Sequence, residues 1–296
     1  VSKEPALARA AVPAEAPEKP VREIVVTSRN AGLSTAALAE LWEYREVFWA
    51  FVKRHLKVKY KQAALGFAWA VFQPLMSTLL IVILISRIAH LQTENLPSLP
   101  FVLCPMVLWT FFSSSVTFGM DSLVREQGLL RKIYFPREVL PMSSVLSFLV
   151  DLSPNLVVLL AVILLTHVGL HWTLLLASLP IALMVLVAVT VAMAASALNV
   201  YYRDVRQIIP FLIQLGLILN PVLWSVRFGL RSTRVREAYL IANPIGSAMD
   251  TFRRVALHGL MPDWPTFLIS SAWAIALFLA AYALFKRIER NFVDRV

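Results

Sequence analysis

The sequence predicts an all-α membrane protein of about six transmembrane helices, and three observations predict it. Hydrophobic residues make up 58% of the 296 residues, with a mean hydropathy of +0.70, more apolar than a water-facing surface allows. Charge-free runs of about twenty residues or more recur along the chain, the length a helix needs to cross ~30 Å of hydrocarbon. Cations gather in the short connections between those runs.

Residues 1–33, rich in Ala, Pro and Glu with no long apolar core, read as a disordered tail that is neither signal peptide nor anchor. Across 34–62, Leu38, Leu41, Trp42, Phe48, Trp49, Val52 and Leu56 recur at helical spacing while Lys53, Arg54, Lys57 and Lys61 take other faces. This predicts an amphipathic helix in the membrane interface, either a working part or an ordinary anchor. The six spans follow within 66–285: Gly66 to Ser86, Leu96 to Met120, Val139 to Leu170 interrupted by Asp151, Trp172 to Tyr202, Gln207 to Val226, and Pro265 to Phe285. Gly169, between His167 and His171, marks a tight helical hairpin between spans three and four.

Arg125, Arg131, Lys132 and Arg137 lie in the connection 121–138, Arg203 and Arg206 between spans four and five, and Lys286, Arg287, Arg290 and Arg295 in the tail 286–296. With an even number of spans, these and the basic stretch Lys53 to Lys61 share one side, the cytoplasm, with both termini inside. The segment 227–264 runs against that bias, because it carries Arg227, Arg231, Arg234, Arg236, Arg253 and Arg254 on the opposite side. Its apolar stretches Val235 to Ala242 and Ser247 to Leu257, split by Asn243-Pro244, are too short to span and predict two half-length re-entrant helices.

The net charge of +10 is spread beside apolar spans instead of forming one soluble face, which argues for anionic lipid over nucleic acid. Cys104 is the single cysteine, so no intrachain disulfide forms. The five histidines are scattered, giving no metal site, and no phosphate-cradling Gly-rich loop with Lys-Ser/Thr occurs, so ATP and Mg must be held by another polypeptide. Asp151 is the one acid deep in a span. It reads as a structural hydrogen-bond partner for another helix or a protonated acid, ahead of a proton-carrying site. Trp69, Phe72, Trp109, Phe112 and Trp224, with Gln73, fit either an aromatic conduit that stacks on sugar faces or an interfacial belt.

The block from Leu41-Trp42-Glu43-Tyr44-Arg45 through Leu56-Lys57-Val58-Lys59-Tyr60 to Phe72-Gln73-Pro74 resembles the ABC-2 type permeases of polysaccharide export. The run Leu129 to Pro141, Tyr202-Arg203-Asp204-Val205-Arg206 and Asn243-Pro244 agree with it, and the closest branch is the O-antigen and teichoic-acid exporters. The resemblance implies a homodimer in the bacterial inner membrane, two copies of a nucleotide-binding subunit, and an undecaprenyl-type lipid-linked glycan as cargo. It also implies parts: an interface helix with Trp42, Tyr44, Arg45, Arg54 and Lys57, and a coupling loop with Ser122, Leu123, Arg125, Glu126, Leu129, Arg131 and Lys132. A gate region would hold Arg231, Arg234, Asn243, Pro244, Arg253 and Arg254. A permease for a drug or simple lipid, and a membrane-embedded glycosyl- or phosphotransferase, are the alternatives. The transferase would need converging acids or histidines that the sequence lacks.

Overall fold

The computed structural model describes residues 42–61, 72, 75–83, 94–130, 132–230 and 232–289. The expected tail 1–33, most of the first span with Trp69, Gln73 and Pro74, and Arg131, Arg231 and the residues beyond Glu289 lie outside these. The described residues fold as helices: α1 (Arg45–Lys61), α2 (Ser98–Met120), α3 (Ser122–Arg125), α4 (Gln127–Leu130), α5 (Val139–Ser147), α6 (Leu149–Leu165), a 3-10 turn (Trp172–Ala177), α7 (Ser178–Tyr201), α8 (Val205–Leu219), α9 (Val226–Gly229), α10 (Thr233–Ala242), α11 (Pro244–Leu257) and α12 (Trp264–Glu289). An all-α membrane fold follows from four apolar stretches long enough to cross a bilayer: α2, α5 with α6, the 3-10 turn with α7, and α12.

Helix α2 is apolar on every side and buried on nearly every side, so it is the central post of the bundle. It crosses α7 and α5 closely at Gly119, where a Cβ would stand 2.8 Å from the Cβ of Ala192. Small residues at a crossing let backbones approach, which is how helices associate in a solvent as apolar as their own side chains. Helix α12 buries the stripe Thr266, Phe267, Ser270, Ala274, Ala281, Tyr282 and Phe285, and presents Leu268, Ile269, Trp273, Ile275 and Leu284 outward to lipid.

Two expected spans are interrupted. Span three divides at Phe148, where the Phe148 N–H bonds the Val145 carbonyl in a tight turn. Just beyond, Pro154 offers no N–H, and the freed Val150 carbonyl accepts the Ser153 hydroxyl at 2.8 Å. Span five, expected to reach Val226, ends as a helix at Leu219, because Asn220 turns to an extended conformation and the chain runs on through Pro221. The Gly169 turn forms, with His167 and Gly169 in the left-handed region, φ 54° and 92°. Its arms diverge, however: an apolar groove of about 280 Å³ separates α6 from the start of α7, with Phe252 of α11 among its walls.

Candidate functional site: a ring of ion pairs at one end and an arginine cavity at the other

At the end of the bundle where α2 finishes and α1 packs, here called basal, four acids each reach a cation from a different segment. Asp121, at the end of α2, accepts from the Arg206 guanidinium at 2.8 Å and from the Asn199 amide of α7 at 3.0 Å. Glu126, between α3 and α4, pairs with Arg54 of α1 at 2.8 Å. Glu138, almost wholly buried, holds Lys286 of α12 at 2.8 Å and the Tyr282 hydroxyl at 3.2 Å. Lys286 also reaches Glu289 at 3.0 Å, and Arg137 donates to the Glu289 carbonyl at 3.3 Å. Asp151 accepts from both Lys59 and Tyr60 at the end of α1.

Asp151 therefore has a basic partner, where the sequence offers none within its own span. Nor is it deep: Phe148, one turn before it, stacks edge-on to Phe118, two residues from the end of α2, with ring centroids 5.5 Å apart. The Lys59 ammonium sits 4.0 Å from the centre of that Phe148 ring. Burial and the neighbouring carboxylate both raise the Tyr60 phenol above its ordinary value, so it remains a hydrogen-bond donor.

Helix α1 lies along this ring with Phe51, Val52 and His55 buried against Phe135 and Phe118. Desolvation, and then the nearby Arg125, bring the His55 imidazole down to about 4, so it packs as a neutral ring. The packed stripe differs from the one periodicity offers: Trp42 and Trp49 point outward, beside the exposed Arg45 and Lys57, while Tyr44 is half-buried. Bulk apolar area alone does not choose between two stripes on one helix. The aromatic partners Phe118 and Phe135, far away in sequence, do.

The connection 121–138 is pinned by these acids. Ser122, Leu123 and Glu126 are buried and Leu129 is half-buried, while Arg125 folds back over the Phe118 ring at 3.7 Å. Its outward surface is made by Gly128, Lys132, Ile133 and Tyr134, the last two exposed at 58% and 57%. Of the aromatic candidates, Trp109 and Phe112 are core residues stacked on each other, and a Cβ at Gly216 would stand 2.7 Å from the Trp109 indole. Phe72 is exposed, and Trp224 is half-buried against Tyr239.

The opposite, distal end gathers α9, α10, α11 and the residues before α2. Asn243 joins them: its side-chain oxygen caps α11 by accepting from the Gly246 N–H, its amide donates to Asn220 and Tyr239, and Tyr239 donates to the Leu219 carbonyl. Pro244 starts α11, where a missing N–H costs nothing. Arg253, 2% exposed, donates to the carbonyls of Pro221, Val222 and Trp224 at 2.7, 3.4 and 3.3 Å and lies 4.0 Å from the centre of the Phe101 ring. The unwound end of span five is thus satisfied by a side chain where a helix would have used its own backbone.

Beside it opens a cavity of about 210 Å³ whose walls include Glu94, Arg227, Arg236, Asp250, Arg253 and Arg254. Arg234 is exposed and outside these walls. Glu94 lies 3.1 Å from His258 and accepts the Ser225 hydroxyl, and these neighbours, His258 first, bring its carboxyl down to about 2. Burial instead raises the carboxyl of Asp250. Because the folded Glu94 carboxyl titrates below its ordinary 4.5, its stabilisation is complete above that pH and is lost as pH falls toward about 2. Thermal unfolding in detergent between pH 6 and pH 3 checks this: Glu94→Gln should flatten the acid-side decline, and an unchanged profile would refute the linkage.

Sequence reasoning reached Arg54, Glu126 and Asn243 but missed Lys59, Tyr60, Glu138, Lys286, Glu94 and His258. The available signal was the acids themselves: in a chain this basic, Asp121, Glu126 and Glu138 within one short basic connection have reason to be there.

The profile of the ABC-2 type transporter family matches residues 46–257. Among curated proteins, the chain is 27% identical over 260 residues to the O-antigen export system permease protein RfbA of Myxococcus xanthus, covering 87% of this chain and 98% of that one. It is 25% identical over 248 residues to the protein of the same name from Klebsiella pneumoniae, covering 81% and 91%. Matched over well more than half its length, the chain belongs to the ABC-2 type transporter membrane family.

Proposed function

We propose that this chain is the transmembrane subunit of an ATP-driven exporter that moves lipid-linked polysaccharide, O-antigen or a similar glycan, across the bacterial inner membrane. The similarity to export permeases over more than four-fifths of the chain carries this reading. The chain is a transport subunit, and two copies of a nucleotide-binding partner hold ATP and Mg. The transporter is a homodimer: Trp109 and Phe112 are spent on the core of one chain, so the glycan path runs along surfaces that one chain leaves open, Phe72 and Trp224 among them. A path between copies spares the glycan hydroxyls the several kcal/mol each would lose in hydrocarbon. The basal end faces the cytoplasm with both termini, and the half-length helices α10 and α11 gate the far side.

Docking of the ATPase falls on the outward surface Gly128, Lys132, Ile133 and Tyr134 instead of on the buried Ser122, Leu123 and Glu126. Apolar side chains rimmed by cations suit a transient interface. The test is a pair of variants, Lys132→Glu and Tyr134→Ala, scored in cells for surface glycan and in membranes for ATP hydrolysis. Surface glycan should fall on the order of tenfold while total lipid-linked glycan accumulates, the equivalent of one lost hot-spot contact. Wild-type export in both variants would move the docking surface elsewhere.

A further inference from the structure

The distal cavity holds more cationic donors than its own acids use. Among the described residues none of the guanidiniums of Arg227, Arg236, Arg253 and Arg254 lies within ion-pair distance of a carboxylate. Of the acids in the walls, Glu94 is committed to His258 and Ser225, and Asp263 accepts the Thr266 hydroxyl at 3.1 Å, which leaves Asp250 as the remaining carboxylate in walls that carry four guanidiniums. Arg253 and Arg254 spend Nη groups on backbone carbonyls, Arg254 on that of Met261 at 3.4 Å, but the Nε atoms of both are buried without a hydrogen-bond partner, and Arg253 is 2% exposed. A buried charged donor left unsatisfied is costly, so the site is built to receive an acceptor. Guanidiniums brought to one cavity by three helices, α9, α10 and α11, match the oxygens of a phosphate better than any neutral polar group. At about 210 Å³ the cavity has about seven water volumes, room for a diphosphate and too little for a sugar chain.

We propose that this cavity binds a phosphate-type oxyanion and that, resting on the lipid-linked cargo proposed above, it receives the diphosphate of that lipid at the distal face. Sugar and isoprenoid lie outside the cavity, so the site recognises the part shared by cargoes with different glycans.

The test uses the full chain in phosphatidylcholine nanodiscs, titrated calorimetrically with inorganic pyrophosphate and with farnesyl diphosphate at matched ionic strength. Saturable binding is expected, weakened on the order of tenfold by Arg254→Gln or Arg236→Gln, as for loss of one charge-assisted hydrogen bond, and unchanged by Arg234→Gln outside the walls. No saturable binding, or an equal loss in Arg234→Gln, overturns the site. Repeating the titration in discs containing phosphatidylglycerol separates the two sources. Continued binding of farnesyl diphosphate supports the cargo assignment, whereas its abolition by phosphatidylglycerol overturns that assignment in favour of ordinary headgroups. Export is scored independently as surface glycan, so failure of the cargo reading and failure of the cavity are told apart.

Discussion

Arg253→Met should lower the thermal unfolding midpoint of the detergent-solubilised protein by about 6 °C or more, the largest stability effect of any single change considered. Methionine nearly fills the space and keeps a contact with Phe101, so the loss isolates the hydrogen bonds. The carbonyls of Pro221, Val222 and Trp224 then face a buried environment without their donor. At ~1–3 kcal/mol for each unsatisfied acceptor, with the longest bond contributing least, the total is about 3–5 kcal/mol. For a chain of this size each kcal/mol moves the midpoint by about 2–4 °C. Arg253→Lys should recover less than half, since one ammonium cannot fan out to three carbonyls. A midpoint within about 2 °C of wild type for Arg253→Met would mean that water or backbone takes over the clamp.

The second large effect is on transport. Asp151→Ala should release the end of α1 from α6, because Lys59 and Tyr60 lose the acceptor they share. Lys59 is partly solvated, so the stability cost is modest, about 1 kcal/mol after screening. Surface glycan should nevertheless fall on the order of tenfold, because α1 bridges the loop through Arg54–Glu126 and the Phe148 break through Lys59–Asp151. A helix held at both points carries a displacement of the loop into α6; one held at a single point pivots. The exchanged pair Lys59→Asp with Asp151→Lys should restore part of the loss. Full export in Asp151→Ala would reduce the contact to packing.

The α-helical membrane character was legible because charge-free length and hydrophobicity are properties of each segment by itself. So were the two short helices: Asn243-Pro244 is a cap followed by a first-turn proline, and both signals are local. The partners of the acids were not legible. Glu138 and Lys286 are separated by 148 positions, and any of several basal cations would have satisfied the charge pattern. Trp109 and Phe112 escaped for a similar reason, since an aromatic in an uncharged helix looks the same facing sugar, lipid or core. Trp109 finds room in the core beside Gly216, whose bare backbone gives the indole its seat. The early end of span five turned on Arg253, more than thirty positions after Pro221, accepting a role that helical hydrogen bonds would have filled.

That early end has a consequence for the bilayer itself. A helix of 15 residues is about 22 Å long, roughly a quarter short of the ~30 Å hydrocarbon layer. Where lipid meets α8 it has to thin or tilt, at a cost of fractions of a kcal/mol per Å, so a local dimple in the membrane is the expected result. A polar headgroup passing there crosses a shorter apolar stretch than anywhere along α2 or α12, and acyl-chain length becomes a variable that sets the height of its barrier.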